Sequence, residues 1–389
     1  MSDTALPPDR DDAPVTPMST TRLAAIATGA LTLLGGLAPL TPKVTWSALP
    51  LPALLLAIAV VLGAGVLPRL VDGFAVAVAT LVTAATAVAL LIAAHAPSVA
   101  GEVGVGFVIT LIALWLGSWA LIERLTVWRP TSPALARLAD AAVPIVFGAF
   151  LFLFWEVITV GFGVPAVLLP PPSQIAVRFA TSLPILGADF FQTVVRAAIP
   201  GWAIGSAAGI LVALLADRVP FLGRGLIPLG DFVSALPLVG IAPIMVMWFG
   251  FDWQSKAAVV VLMTFFPALV NTVAGLAAAG RLERDLMHSY GASWGQTLVK
   301  LRLPAAGPHI FAALKLNSTF ALIGALVAEF FGTPIVGMGF RISTEVGRMG
   351  LDMVWAEIAM AAITGSTLYS VLASIERRVT FWHPSNRGR

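Results

Sequence analysis

Apolar residues occur in long runs along this chain, and polar residues are gathered between the runs. A helix needs roughly 20 apolar residues to cross the hydrocarbon core of a bilayer. The pattern therefore predicts an all-α polytopic membrane protein with about ten transmembrane helices, at about 23–41, 49–67, 73–94, 104–122, 143–163, 197–216, 235–250, 257–277, 309–330 and 354–375. The seventh run is short and is broken by prolines.

Composition supports the membrane class, because 58% of the 389 residues are hydrophobic and only 11% are charged. A soluble core does not need that much apolar surface. The absence of cysteine excludes disulfides and thiolate sites, and the four histidines lack the spacing of a metal cluster. With no paired carboxylates in one span and no nucleophile–base pair, we expect no metal, no cofactor and no catalysis.

The basic residues predict the orientation of the helices. If the chain starts in the cytosol and alternates, sixteen of the 23 Lys and Arg residues fall in cytosolic loops and six in outer loops. Such a bias is typical of cytoplasmic loops. It predicts cytosolic N- and C-termini in a bacterial inner membrane, and it places the polar segment 281–303 in the cytosol.

Polar stretches divide the chain into regions. Residues 1–21 are Pro- and Asp-rich and predict a disordered cytosolic tail. Residues 22–122 hold four spans and form an N-terminal extension, 123–142 form a cytosolic linker, 143–380 form a six-span domain, and 381–389 form a second cytosolic tail. The two groups of spans show no sequence repeat, so an inverted-repeat transporter is not supported.

From about residue 143 onward, a series of short motifs occurs in a consistent order. They are Phe154–Glu156, Val167–Gln174, Pro237–Pro243, Met247–Phe251, Phe265–Asn271, Gly291–Ser293, Leu303–Pro304, Val327–Glu329, Gly337–Gly339, Ile375–Arg378 and Trp382. This region resembles the permeases of the nitrate/taurine/alkanesulfonate branch of type I ABC importers, over roughly 240 residues. The four N-terminal spans are absent from the usual six-helix permease of that family, and a stabilising or partner-binding appendage is the simplest interpretation of them.

The resemblance implies a homodimer with the substrate pathway at its interface, a separate ABC ATPase subunit, and a periplasmic or lipid-anchored binding protein. It also implies that the cytosolic segment docks onto the ATPase. The motif residues there are Asp285, Met287, His288, Gly291, Ala292, Ser293, Arg302 and Pro304. Asp285 supplies the family's acid, whereas Met287 and His288 replace its usual alanine and arginine.

Chemistry gives each of these residues a role and an alternative. Gly291 permits a sharp bend or a close backbone approach. Asp285 is able to cap a helix start or to pair with a basic groove. Arg302 is expected to anchor the next span at the lipid headgroups. The alternative for the whole segment is an ordinary amphipathic connector.

Several residues are candidates for the pathway or its gate. Proline kinks a helix, and broken helices are tolerated in membranes where they are buried or line a cavity. The candidates are Ser234, Pro237, Gly240, Pro243, Met247, Asn271, Asn317 and Glu329. Packing around a kink explains the prolines nearly as well, helix–helix hydrogen bonding explains the asparagines, and Glu329 is expected to hold the following loop.

The chain lacks the phosphate-binding loop of an ATPase, since no lysine follows the required glycines. ATP hydrolysis must therefore come from a partner chain. The alternative function is a secondary transporter driven by an ion gradient, but the central spans contain almost no carboxylates to relay the ion. The resemblance suggests a small solute, with nitrate, sulfonate, taurine or a related organic anion as the expected substrate.

Overall fold

The computed structural model describes residues 20–70, 72–219, 221–222, 225, 238–332 and 335–382. These residues form helices and connecting turns, and there is no strand among them. By contact they divide into two compact units, Met1–Ser173 and Gln174–Arg389. Each unit is described separately.

The first unit contains five long helices. They are α1 (Thr20–Leu37), α2 (Pro50–Val60), α3 (Asp72–His95), α4 (Val105–Val127) and α5 (Pro133–Gly161). A π-helical turn and a 3₁₀ turn extend α2 to Arg69. The predicted linker 123–142 is mostly helical, because only residues 128–132 lie between α4 and α5.

The core of the first unit includes part of α5. Phe154 and Val157 of α5 are buried with Leu90 of α3 and with Phe107 and Leu114 of α4. The first span of the predicted six-span domain thus packs against the N-terminal helices, and the contact division falls later in the chain than the predicted linker.

The second unit contains the remaining helices, in chain order. They are α6 (Pro172–Thr181, whose first two residues belong to the first unit), α7 (Leu183–Phe190), α8 (Ile199–Arg218), α9 (Leu238–Phe249), α10 (Trp253–Ala277), α11 (Arg281–Ser289), α12 (Trp294–Thr297), α13 (Leu303–Glu329), α14 (Met338–Gly347) and α15 (Leu351–Val379). π-helical turns join α7 to α8 and α12 to α13.

Helix α8 packs closely on α10 because three glycines occupy one of its faces. Gly201, Gly205 and Gly209 recur every four residues, so they share one side of the helix. A Cβ at any of them would meet backbone or side-chain atoms of α10. Small residues at this spacing let membrane helices approach to backbone contact.

Within the described residues a helix lies at the position of each predicted span, and residues 235–237 of the seventh lie outside them. Eight helical stretches in the described part of the chain are long and apolar enough to cross a membrane, and two shorter apolar helices, Leu23–Leu37 and Gly240–Phe249, occupy the other two positions. The sixth span begins earlier than predicted, at Leu183, because the π-helical turn continues α7 into α8.

Candidate functional sites

The polar segment after α10 folds as a helix, a tight turn and a second helix start. No residue of α11 or α12 is buried. Gly291 has φ +67°, and the amides of Gly291 and Ala292 bond back to the carbonyls of His288 (2.9 Å) and Met287 (3.0 Å). An L side chain is strained at this φ. Gly291 therefore makes a sharp bend, and no atom of this chain lies within 4 Å of where a Cβ would be.

Ser293 opens α12 with reciprocal hydrogen bonds. Its hydroxyl accepts from the amide of Gln296 (3.3 Å), and the Gln296 side chain accepts from the amide of Ser293 (2.8 Å). This capping box satisfies two amides that a helix start leaves unpaired. The turn 290–293 is thus fixed by local bonds from both sides.

One face of α11 exposes large apolar side chains. Leu282, Leu286 and Tyr290 recur every four residues and are 83%, 57% and 80% exposed. Asp285 lies between them, exposed and without an ion pair in the part of the chain that the structure describes. It sits in the middle of α11, whose N-cap is Gly280, so the interpretation of Asp285 as a cap of the helix start was wrong.

Arg284 fastens α11 to the end of α10. Its guanidinium donates to the carbonyl oxygens of Ala277 (3.3 Å) and Ala279 (2.7 Å). These carbonyls lie at a helix C-terminus, where a cation is favoured by the unpaired acceptors and the helix dipole. These hydrogen bonds therefore hold α11, and with it its exposed face, in a defined position relative to the end of α10.

Arg302 connects three helices. It forms a two-fold hydrogen-bonded ion pair with Asp217 at the end of α8 (2.7 and 2.6 Å) and donates to the carbonyl of Leu276 in α10 (3.1 Å). Both side chains are only 14% exposed. The expected headgroup contact of Arg302 is therefore corrected, because its guanidinium is occupied inside the protein. Pro304 follows in the first turn of α13, which continues directly from the π-helical turn Leu298–Arg302.

The gate candidates lie partly in the described region. Ser234 and Pro237 lie outside the described residues. Gly240, Pro243 and Met247 lie on α9, which stays helical although Pro243 is inside it. Met247 is 83% exposed. A gate at α9 stays a prediction.

The two asparagines bond within the helix packing. The amide of Asn317 is fully buried and donates to Ser206 of α8 (2.9 Å) and to the carbonyl of Thr264 in α10 (2.7 Å). Asn271 donates to the carbonyl of Pro267 in its own helix (2.8 Å). The contacts of Asn317 are those of a residue that joins helices, which is the alternative that the sequence left open.

Glu329 holds the loop that leads into α14. It is 2% exposed and accepts from the hydroxyl of Thr193 (2.8 Å) and the amide of Gly339 (2.7 Å). The Thr193 oxygen also accepts from the amide of Met338 (2.8 Å). Through these contacts Glu329, at the end of α13, holds the loop 337–339 against Thr193.

Asp189 holds the same loop from the α7 side. It is fully buried and accepts from the amide of Gly337 (2.7 Å) and from the guanidinium of Arg341 (2.8 Å). The hydrogen bond to Asp189 raises the pKa of Arg341 above its ordinary value, with burial opposing it. Glu357 of α15 is also fully buried and interacts electrostatically with Asp189.

Asp189 and Glu357 are two buried carboxylates in helices where the sequence predicted almost none, and that prediction was wrong. The sequence interpretation placed Asp189 outside a span because it began the sixth helix at residue 197. Glu357 lies inside the predicted last span, where the sequence analysis assigned it no role. A single carboxylate in an apolar run was the available signal, since such a group is costly in a membrane and needs a partner.

A groove of about 920 Å³ lies beside the turn between α7 and α8. Its lining includes Phe191, Gln192, Arg196, Phe251 and Asp252. The Arg196 guanidinium lies 5.3 Å from the centre of the Phe191 ring and donates to the side chain of Gln192 (3.3 Å), which in turn donates to Asp252 (3.3 Å). The groove thus offers aromatic faces together with both signs of charge.

Residues 205–381 match the family of binding-protein-dependent transport system inner membrane components. The formylaminopyrimidine transport permease protein ThiX of Halalkalibacterium halodurans is 31% identical over 255 residues, which cover 64% of this chain and 98% of ThiX. This chain belongs to that family. The riboflavin transport system permease protein RibX of Chloroflexus aurantiacus is 30% identical over 60% of this chain and 88% of RibX. The putative aliphatic sulfonates transport permease protein SsuC of Bacillus subtilis is 29% identical over 63% of this chain and 88% of SsuC.

The family confirms the predicted class, an ABC importer permease that crosses the inner membrane several times. The matched residues include the whole segment 281–304 and every pathway candidate. Helices α1 to α7 and the first residues of α8 lie outside the match, and more than a third of the chain lies outside the alignment with ThiX. The relatives are transport permeases, which are non-catalytic membrane subunits.

Proposed function

We propose that this permease forms the membrane pathway of an ATP-driven importer and binds a separate ATPase through residues 281–304. The observation that carries the proposal is the exposed face Leu282, Leu286 and Tyr290 of α11. An exposed apolar cluster rimmed by polar residues is typical of a protein–protein contact. Asp285 on the same helix is free to pair with a basic side chain of the partner.

The hydrogen bonds that join the segment 281–304 to the membrane helices support a role of α11 in transmitting movement of the ATPase. Arg284 ties α11 to α10, and Arg302 ties the start of α13 to α8 and α10. A displacement imposed on α11 would therefore reach three membrane helices through hydrogen bonds. In this proposal the closing of two ATPase subunits draws the segments of two permease copies together and switches the pathway from inward- to outward-facing.

The proposed assembly is a homodimer with a binding protein on the outer side. The charge bias of the loops supports cytosolic termini and a cytosolic α11. A binding protein would then deliver the solute at the opposite end of the helices, where α6 and α14 lie.

The proposed solute is small, and we keep an organic anion such as a sulfonate as the first candidate. Arg341 in α14 and Arg348 directly after it are paired with Asp189 and Glu345. Arg196 makes no ion pair in the described part of the chain and stands in the groove beside Phe191. The class of solute is tested by measuring the uptake of taurine, an alkanesulfonate, nitrate, formylaminopyrimidine and riboflavin by the reconstituted importer. Uptake of formylaminopyrimidine and riboflavin alone would contradict the proposal of an organic anion.

Binding of the ATPase is tested by co-purification and titration with Leu286→Asp. A charge in the apolar face is expected to weaken binding by about tenfold or more, since buried apolar anchors dominate interface energy. Leu135→Asp is the matched control, because Leu135 is 47% exposed near the start of α5 while Leu286 is 57% exposed. The control is expected to bind like the wild type.

Two results would contradict the proposal. One is equal binding of the ATPase by wild type and Leu286→Asp, which would make α11 an ordinary connector. The other is solute uptake by the purified chain alone on an ion gradient, which would favour the secondary transporter.

A further inference from the structure

The outer loop of the N-terminal extension, residues 96–104, is fitted to the end of α5. The amide of Gly101 donates to the carbonyl of Gly161 (2.9 Å). Gly101 and Gly163 both have positive φ, +82° and +62°, and a Cβ on Gly163 would meet the Gly101 backbone. Only glycine permits this backbone contact. The extension is therefore closely built onto the first span of the six-span domain.

A side-chain cluster reinforces the same contact. His95, the last residue of α3, places Nε2 at 3.0 Å from Oε1 of Glu156 in α5. Glu156 also accepts from the amide (2.9 Å) and the hydroxyl (2.7 Å) of Ser173, in the first turn of α6. The Glu156 side chain is 9% exposed and that of His95 is 44% exposed. Glu156 thus lies between the extension and the start of α6.

The hydrogen bonds fix the orientation of the His95 ring. Nδ1 of His95 lies 2.9 Å from the carbonyl oxygen of Leu91, which only accepts, so Nδ1 carries a hydrogen. Nε2 is thereby turned toward Glu156, which accepts one hydrogen bond from Ser173 at each of its carboxylate oxygens. The His95 ring is thus held by one contact at each of its nitrogen atoms.

We propose that His95 is a positioning residue for transport, through which the extension fixes Glu156 and, with it, Ser173 at the start of α6. The consequence for transport rests on the proposed importer function, whereas the contact itself does not. The extension thereby holds the end of α5 that the charge bias places on the outer side.

Hydrogen exchange of the full-length chain in lipid nanodiscs tests the contact. After correction for intrinsic rates, we expect peptides covering residues 164–176 to exchange about tenfold faster in His95→Ala than in the wild type, as for the loss of one hydrogen bond to a charged group. His95→Lys places a hydrogen-bond donor at the same position and is expected to exchange slowly, like the wild type. His309→Ala, at an exposed histidine of α13, is the control and follows the wild type.

Uptake by the assembled importer tests the consequence for transport. We expect His95→Ala to lower the initial rate about threefold, a typical size for a change in coupling away from the site, and His95→Lys to restore it. Unchanged exchange in His95→Ala would overturn the contact. Altered exchange with unaltered uptake would overturn the positioning role. Because exchange needs no ATPase, a failure of the importer proposal is seen separately, as a wild type that takes up no solute.

Discussion

At the scale of single residues, backbone conformation decides the role of Gly291. Its φ of +67° and the open space around it show that a turn, not a close contact within this chain, requires glycine. Gly295, four residues later, also has open space around it but lies inside α12. The two glycines therefore separate the effect of the turn from the effect of added size.

We expect Gly291→Ala to strain the turn by about 1 kcal/mol and to weaken ATPase binding about fivefold, because the left-handed conformation is costly with a Cβ. Gly295→Ala is expected to leave binding unchanged, since alanine is a better helix former than glycine. Titration of the ATPase against both variants in nanodiscs checks this. Equal effects of the two substitutions would contradict the role of the turn.

At the scale of elements, the ion pair of Arg302 and Asp217 joins the end of α8 to the start of α13. Each partner is 14% exposed, so removing one leaves a largely buried charge. By contrast, the pair of Arg348 and Glu345 involves an arginine side chain that is 69% exposed. Exposed pairs contribute little to stability because water and salt screen them.

We expect Arg302→Ala to destabilise the protein by about 2–3 kcal/mol, because Asp217 loses its partner. The exchanged pair Arg302→Asp with Asp217→Arg is expected to recover part of the loss, and Arg348→Ala to change stability by less than about 0.5 kcal/mol. Thermal unfolding in detergent measures stability, and the ratio of solute moved to ATP hydrolysed measures coupling. If Arg302→Ala has the thermal stability and the coupling ratio of the wild type, the ion pair contributes to neither.

At the scale of the whole molecule, the sequence predicted the helices well because membrane spans follow from length and apolarity alone. It also located the segment around Gly291 from its motif. It could not give the partners of Arg302 or Glu156, because these contacts join residues 85 and 61 positions apart. Packing of α5 on the N-terminal helices was equally hidden, since apolar residues that face lipid and those that face a helix look alike in sequence.

The orientation of the molecule in the membrane is the remaining large-scale prediction, and this chain suits a direct test because it contains no cysteine. Ser98, on the loop after α3, and Ser289, at the end of α11, are both exposed. With a cytosolic N-terminus, three spans place Ser98 outside, and the charge bias places Ser289 inside. We expect Ser98→Cys to react with a membrane-impermeant maleimide in intact cells, and Ser289→Cys to react only after the membrane is opened. Both substitutions replace a small polar side chain, so differences in labelling report access to the reagent. The opposite pattern would put α11 on the outer side, out of reach of any ATPase.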